Sequence, residues 1–175
     1  MPRVLIALVT LAAAAALSAQ TPRKETVEGI RNFTVVDPTI GCAGSTEARV
    51  MPELARRGYR AILNVRLATE SGAAIDDSRK AAEAAGLTYI HLPFDGQKPD
   101  PLVVDAFIRA ISDESHQPVF IHCGSANRVA ALLMAKRQVA DGWSEARALE
   151  EAEIVGPPSA SLREFVRTYV ASRRQ

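Results

Sequence analysis

The chain has 175 residues, of which 47% are hydrophobic and 23% charged, the make-up of one ordinary globular domain. Its 21 basic and 20 acidic side chains leave a net charge of +1, which offers nucleic acid no general attracting field. Three histidines and two cysteines lie apart, without Cys-x-x-Cys or His-x-x-x-His spacing, so a bound metal is not expected.

Residues 1–19 read as a secretory signal: Arg3 is the basic start, residues 4–17 are apolar or small, and Ser18-Ala19 form a small-residue cleavage zone. Fourteen such residues are too few to span a bilayer, which takes about twenty. Export to the periplasm or beyond is the expectation, with no stable membrane insertion after cleavage; an uncleaved N-terminal membrane anchor is the alternative. Removing the segment takes one basic residue and no acid, leaving 20 of each. Residues 20–29 are polar and predict a flexible lead-in to a domain spanning 30–175.

Within that domain, residues 33–36 predict a short strand and Gly41-Cys42-Ala43-Gly44-Ser45 a turn-forming loop. A helical segment ends at Gly58, and Pro52 suits its first turn. Residues 61–65 read as a buried strand, 75–85 as a helix closed by Gly86, and 87–92 as another strand. Asp100 caps a helix that starts at Pro101 and runs to 111. Residues 118–121 form an apolar strand. The helix after it places Val129, Leu132, Leu133 and Val139 on one face and stops near Asp141-Gly142. Ser144 caps a helix to 154, Pro157-Pro158 break it, and Ser161-Leu162-Arg163-Glu164 has capping-box spacing for a last helix to about 172. This alternation predicts a single-domain α/β fold with a mostly parallel central sheet flanked by helices. Ligands gather at the carboxyl ends of strands in such sheets, where Arg66, Asp95 and Cys123 all fall.

Cys123 lies between an apolar strand and a helix, so it faces backbone N–H groups that have no partner inside the helix. An ordinary cysteine is only about 3% ionised at pH 7. These donors, the helix dipole and the guanidinium of Arg128 would favour the thiolate. The same loop, Gly124-Ser125-Ala126-Asn127, would cradle a phosphate, with Arg128 forking two N–H bonds onto its oxygens. His122 is placed to support the thiolate by hydrogen bonding from outside the loop. Asp95, in Leu-Pro-Phe-Asp-Gly, is the candidate general acid, and it can equally be a plain Asp-Gly turn. Asp100 is already accounted for as an N-cap. Cys42 and Cys123 could pair in an oxidising compartment, although spacing alone does not bring them together.

The run His122-Cys123-Gly-Ser-Ala-Asn127-Arg128-Val-Ala-Ala-Leu-Leu resembles the signature of the bacterial dual-specificity and tyrosine-phosphatase-like superfamily. It most resembles the branch fused to NAD-kinase-like or beta-lactamase-hydrolase-like domains. Ile62-Leu63-Asn64-Val65-Arg66, Tyr89-Ile90-His91-Leu92-Pro93 and Gly142-Trp143-Ser144-Glu145 with Ala148-Leu149-Glu150 follow that branch in order, over roughly residues 33–155. The resemblance implies a cysteinyl-phosphate intermediate, no metal and no cofactor. Cys123 would be the nucleophile, Arg128 the phosphate clamp and Asp95 the acid/base. The substrate would be a phosphorylated small molecule or phosphoprotein. Two features depart from the pattern. Four residues separate Cys123 from Arg128 where the established phosphatases have five, a spacing shared with rhodanese-like sulfurtransferases. Val129 stands where a Ser or Thr usually assists the departing thiolate. A sulfurtransferase and a catalytically weak phosphate-binding module are therefore the alternatives.

Overall fold

Short runs dense in β-branched and aromatic residues supply the middle of a six-stranded sheet. The computed structural model describes residues 21–173, so the segment read as a signal lies outside the described residues. The strands are β1 (Arg23–Val27), β2 (Ile30–Asp37), β3 (Ile40–Ala43), β4 (Ala61–Asn64), β5 (Thr88–His91) and β6 (Val119–His122). Their order across the sheet is β1-β2-β3-β6-β4-β5. The pairs β3/β6, β6/β4 and β4/β5 are parallel, while β1/β2 and β2/β3 are antiparallel. The helices are α1 (Met51–Arg56), α2 (Ile75–Ala84), α3 (Pro101–Ser112), α4 (Asn127–Val139), α5 (Glu145–Val155) and α6 (Ala160–Arg173).

Helices cover both faces of the sheet. Phe107 of α3, Leu132 of α4, Val155 of α5 and Val166 of α6 pack with Leu63 and Ile121 on one side. Met51 and Leu54 of α1 and Ala82 of α2 pack with Phe33, Ile62 and Phe120 on the other. Each of these side chains larger than alanine, fully buried, contributes about 1.5–3 kcal/mol. The centre of α4 is buried all round, from Val129 to Ala135 without a break, because α5 and α6 press on it as well as the sheet. The single apolar face expected for this helix is thus too narrow, and Val139, placed on it, is exposed. Asp100 accepts from the Leu102 amide at 2.8 Å and Ser144 from the Arg147 amide at 3.3 Å, the two caps read from the sequence.

Three expectations are corrected. The stretch 20–29 is not a loose lead-in throughout: β1 forms an edge strand, joined to β2 by a tight turn at Glu28-Gly29. An edge strand needs no buried face, so its charged residues gave no apolar alternation, and they also shield the edge from further pairing. Residues 41–43 are not part of a loop but the end of β3, between β2 and β6. Gly41 is required by packing rather than by a turn, since the Tyr59 hydroxyl occupies the place of its missing Cβ. The last helix is capped by Ser159, whose Oγ accepts from the Leu162 amide at 3.2 Å, instead of by Ser161. Leu162 is buried against the core, which requires the first turn to begin earlier.

A buried ion network ties α4 and α5 to β2. Arg137 donates to Glu151 at 2.8 Å, to Asp37 at 2.7 Å and to Asp141 at 3.0 Å, and its guanidinium lies 4.7 Å from the centre of the Trp143 ring. Trp143 and Glu151 thus have a structural use, which fixes the helix that carries the cysteine loop.

Candidate active site

The loop after β6 is anchored by backbone bonds to its neighbours. The Cys123 amide donates to the Ala43 carbonyl at 3.2 Å, Ser45 donates to the Gly124 carbonyl at 3.1 Å, and Val65 donates to the His122 carbonyl at 3.0 Å. The chain then curls through Gly124 and Ser125 to Ala126, whose φ of 79° lies in the left-handed region that costs a residue with a Cβ. That turn aims the Ala126 amide at the Cys123 sulfur, 3.1 Å away. Asn127 opens α4, and its Oδ1 accepts from the Ser125 hydroxyl at 3.0 Å, closing the loop. Gly156 fits against this turn because a Cβ there would stand 2.9 Å from that of Ala126. The antiparallel hairpin braces the outside. Asn32 donates to the carbonyls of Ser125 at 3.4 Å and Val155 at 2.9 Å, and Lys24 donates to the same Val155 carbonyl at 2.9 Å.

Arg128 leaves the first turn of α4 and reaches back over the loop, so that a Cβ on Gly124 would lie 3.6 Å from its Nη2. Its partner is a residue the sequence reading missed. Glu70 accepts from Nη1 at 2.6 Å and from Nη2 at 2.8 Å, an end-on bidentate pair. Nη1 also donates to the Phe94 carbonyl at 3.1 Å. A guanidinium carries five N–H donors, and these three bonds leave the Nε–H and one Nη2–H. Those two lie side by side and form the second fork of the group, available to an oxyanion. Burial would lower Arg128, but Glu70 and the neighbouring Cys123 sulfur raise it above its ordinary value.

Glu70 is itself held in place. Its Oε1 accepts from the Leu67 amide at 2.8 Å, and Arg66 donates to its Oε2 at 3.3 Å. Burial acts to raise its pKa, yet Arg128, the Leu67 amide and Arg66 together push it down to about 2. A carboxylate lowered in this way loses its pairing only as pH falls through that value, so the Glu70–Arg128 clamp is intact across the ordinary pH range. Arg66 does not line the cavity beside Arg128. Its two outer nitrogens donate to the carbonyls of Ser71 at 2.6 Å and Gly72 at 2.7 Å, shaping the loop that delivers Glu70. The signal that could have found Glu70 is its place in the loop after β4, at the same sheet edge as Cys123.

Asp95 joins Arg128 and Glu70 in the wall of one cavity of about 340 Å³. Its Oδ1 accepts from the Gln97 amide at 2.8 Å, so it makes the Asp-Gly turn and faces the site at once. Gly96 lets this turn lie on the stem of Arg128, where a Cβ would meet Cγ and Cδ at 3.5 Å. Cys123 is fully buried; from its loop, Ser125, Asn127 and Arg128 reach the cavity wall. A larger groove of about 490 Å³, lined by Ala48, Pro52 and Ala84 among others, lies between α1 and α2, away from these groups. His122 does not support the sulfur as expected. Strand alternation turns its ring to the Phe120 side of the sheet, it is fully buried, and neither ring nitrogen has a partner among the described residues. Burial and the charge of Arg66 lower its pKa to about 3, which keeps it neutral. Cys42 lies on β3 opposite Ile121, and both cysteines are free thiols. Burial, with Glu151 and Asp37 nearby, pushes the Cys42 thiol up and leaves it unreactive.

A strand-loop-helix cysteine, a clamped arginine at the start of the next helix and a nearby carboxyl group, all at the carboxyl edge of a mostly parallel sheet, are the layout of a phosphatase-like domain. The chain belongs to the family of the beta-lactamase hydrolase-like protein, phosphatase-like domain, whose profile matches residues 32–140. A beta-lactamase hydrolase-like protein of Xylella fastidiosa (strain Temecula1 / ATCC 700964) is 33% identical over 109 residues, which cover 61% of this chain and 25% of that protein. The chain thus spans about a quarter of the length of the curated relatives it matches. Among solved structures, a DUF442 protein from Shewanella putrefaciens CN-32 superposes with a TM-score of 0.69 at 20% identity, covering 83% of this chain and 95% of that one. TpbA of P. aeruginosa gives 0.68 at 20% identity, over 87% and 96%. The catalytic core of the PP-IP phosphatase SIW14 of S. cerevisiae gives 0.69 at 17% identity, over 85% and 93%. At these identities the likeness establishes the fold.

Proposed function

We propose that the chain hydrolyses a phosphate monoester through a cysteinyl-phosphate intermediate. The observation that carries this reading is the geometry of residues 123–128: an amide aimed at the sulfur, and above it an arginine with one fork fixed by Glu70 and the other free. The Cys123 thiolate attacks phosphorus, the bond to the leaving oxygen breaks, and Asp95 gives that oxygen its proton. Water then attacks the cysteinyl phosphate, Asp95 takes up the water's proton, and the sulfur–phosphorus bond breaks to return the thiolate. The free fork of Arg128 and the loop amides bind the equatorial oxygens through both steps. Val129, buried and without a hydroxyl, offers the departing sulfur no donor, so the second step is the slower. The phosphotyrosine complex of TpbA supports the choice of a phosphoryl substrate. Export is part of this proposal and rests on residues 1–19 alone; no helix among the described residues is long and apolar enough to cross a membrane.

Asp95→Asn tests the proton role. On an alkyl phosphate, whose leaving oxygen needs a proton, the variant loses about 10²-fold or more in the rate of phosphoryl transfer to the enzyme. On an aryl phosphate with an acidic phenol the loss in that step is much smaller. Equal losses on both substrates would remove Asp95 from that role.

A further inference from the structure

We infer that this site selects a single phosphate monoester on an uncharged, partly apolar alcohol or phenol, and that it discriminates against polyphosphorylated substrates. The inference rests on the phosphatase reading and deepens it. The ionisable members of the cavity wall are one cation, Arg128, and two carboxyl groups, Glu70 and Asp95, of which Asp95 carries the proton for the leaving oxygen. Glu70 already takes one fork of Arg128, so the guanidinium's remaining donors serve one phosphoryl group and no more. The N-terminus of α4 and its loop amides serve that same group.

The rest of the wall has nothing for a second phosphate. Leu67 and Leu162 supply apolar surface, while Gln97, Asn127 and Ser159 are uncharged. Arg66 lies directly behind Glu70, but it is buried and its nitrogens are turned to Ser71, Gly72 and Glu70. A second phosphate would therefore sit beside the Glu70 carboxylate without a lining cation among the described residues. In a partly desolvated cavity, like charges within several ångströms cost on the order of tenfold in affinity even after partial screening. Leu67, which is only partly buried, instead rewards the body of a neutral substrate.

The test compares naphthyl phosphate with inorganic triphosphate and inositol hexakisphosphate. It uses turnover by the wild-type chain and, in parallel, equilibrium binding to the Cys123→Ser variant. Naphthyl phosphate is expected to lead by about tenfold or more in both readouts. Gln97→Lys, which adds a cation to the wall and keeps the backbone amide that bonds Asp95, is expected to shift the binding ratio towards the polyphosphates by about three- to tenfold. Polyphosphates bound or turned over as well as naphthyl phosphate, in a Cys123-dependent manner, would overturn the selectivity and leave the phosphatase reading standing. Turnover of naphthyl phosphate that is unaffected by Cys123→Ser would instead overturn the phosphatase reading. If no substrate is turned over, the ranking is still decided by binding: naphthyl phosphate ahead supports the inference, and polyphosphates level or ahead overturn it.

Discussion

Replacing Cys123 by serine lowers turnover of a small aryl phosphate by about 10⁴–10⁶-fold, the loss typical of removing a nucleophile that works as part of a unit. The substitution is nearly isosteric, so the buried loop keeps its shape and the Ala126 amide keeps an acceptor. What disappears is the sulfur nucleophile: a serine hydroxyl in the same cradle stays an alcohol at neutral pH and is a weak nucleophile without a base. No base stands ready, because the neighbouring His122 faces the other side of the sheet and Asp95 is assigned to the leaving oxygen. Initial rates measured beside thermal unfolding separate chemistry from folding. Retained activity in a folded Cys123→Ser protein would remove the covalent route.

The parallel half of the fold was legible because its strands and helices follow strong local rules. β4 and β6 are buried on both faces and read as continuous apolar runs, and the caps at Asp100 and Ser144 are local chemistry. The antiparallel hairpin was not legible. β1 is polar up to its last residue, Val27, and only pairing with β2 makes it a strand. β3 was hidden by its glycine, which signals a turn in sequence but answers here to Tyr59, a residue 18 positions away. Both failures concern contacts distant in the chain, which local pattern does not carry.

Arg128→Lys carries the second large effect, a loss of about 10³–10⁵ in kcat/KM, the range seen when a transition-state arginine is removed. Arg128 bonds Glu70 and Phe94 through three of its N–H groups and leaves its Nε/Nη2 edge for the proposed substrate. An ammonium is a compact charge that cannot span both. In the variant it pairs with Glu70 and leaves the oxyanion without its fork, so kcat falls as well as binding. A pure rise in KM, with kcat unchanged, would show that Arg128 only attracts the substrate.

Cys123, Arg128 and Asp95 were legible as a candidate site because each follows the end of a strand at one sheet edge; the structure places Arg128 and Asp95 in one cavity wall, with Cys123 buried. His122 misled because adjacency in a strand means opposite faces. Glu70 escaped notice because its use depends on Arg66 folding the intervening loop, an event set by side-chain bonds to the Ser71 and Gly72 carbonyls. Lys24 and Asn32 were hidden for a similar reason, since they brace the loop from a hairpin that sequence did not reveal.

The most direct test of covalent catalysis is to quench the wild-type chain within its first turnovers on an aryl phosphate and map the peptides by mass. Because Val129 gives the departing sulfur no help, the intermediate should accumulate: a burst of released phenol, matched by one phosphoryl group on the Cys123 peptide. An unmodified Cys123 during active steady-state turnover, with the phosphoryl group found elsewhere or nowhere on the enzyme, would contradict the account.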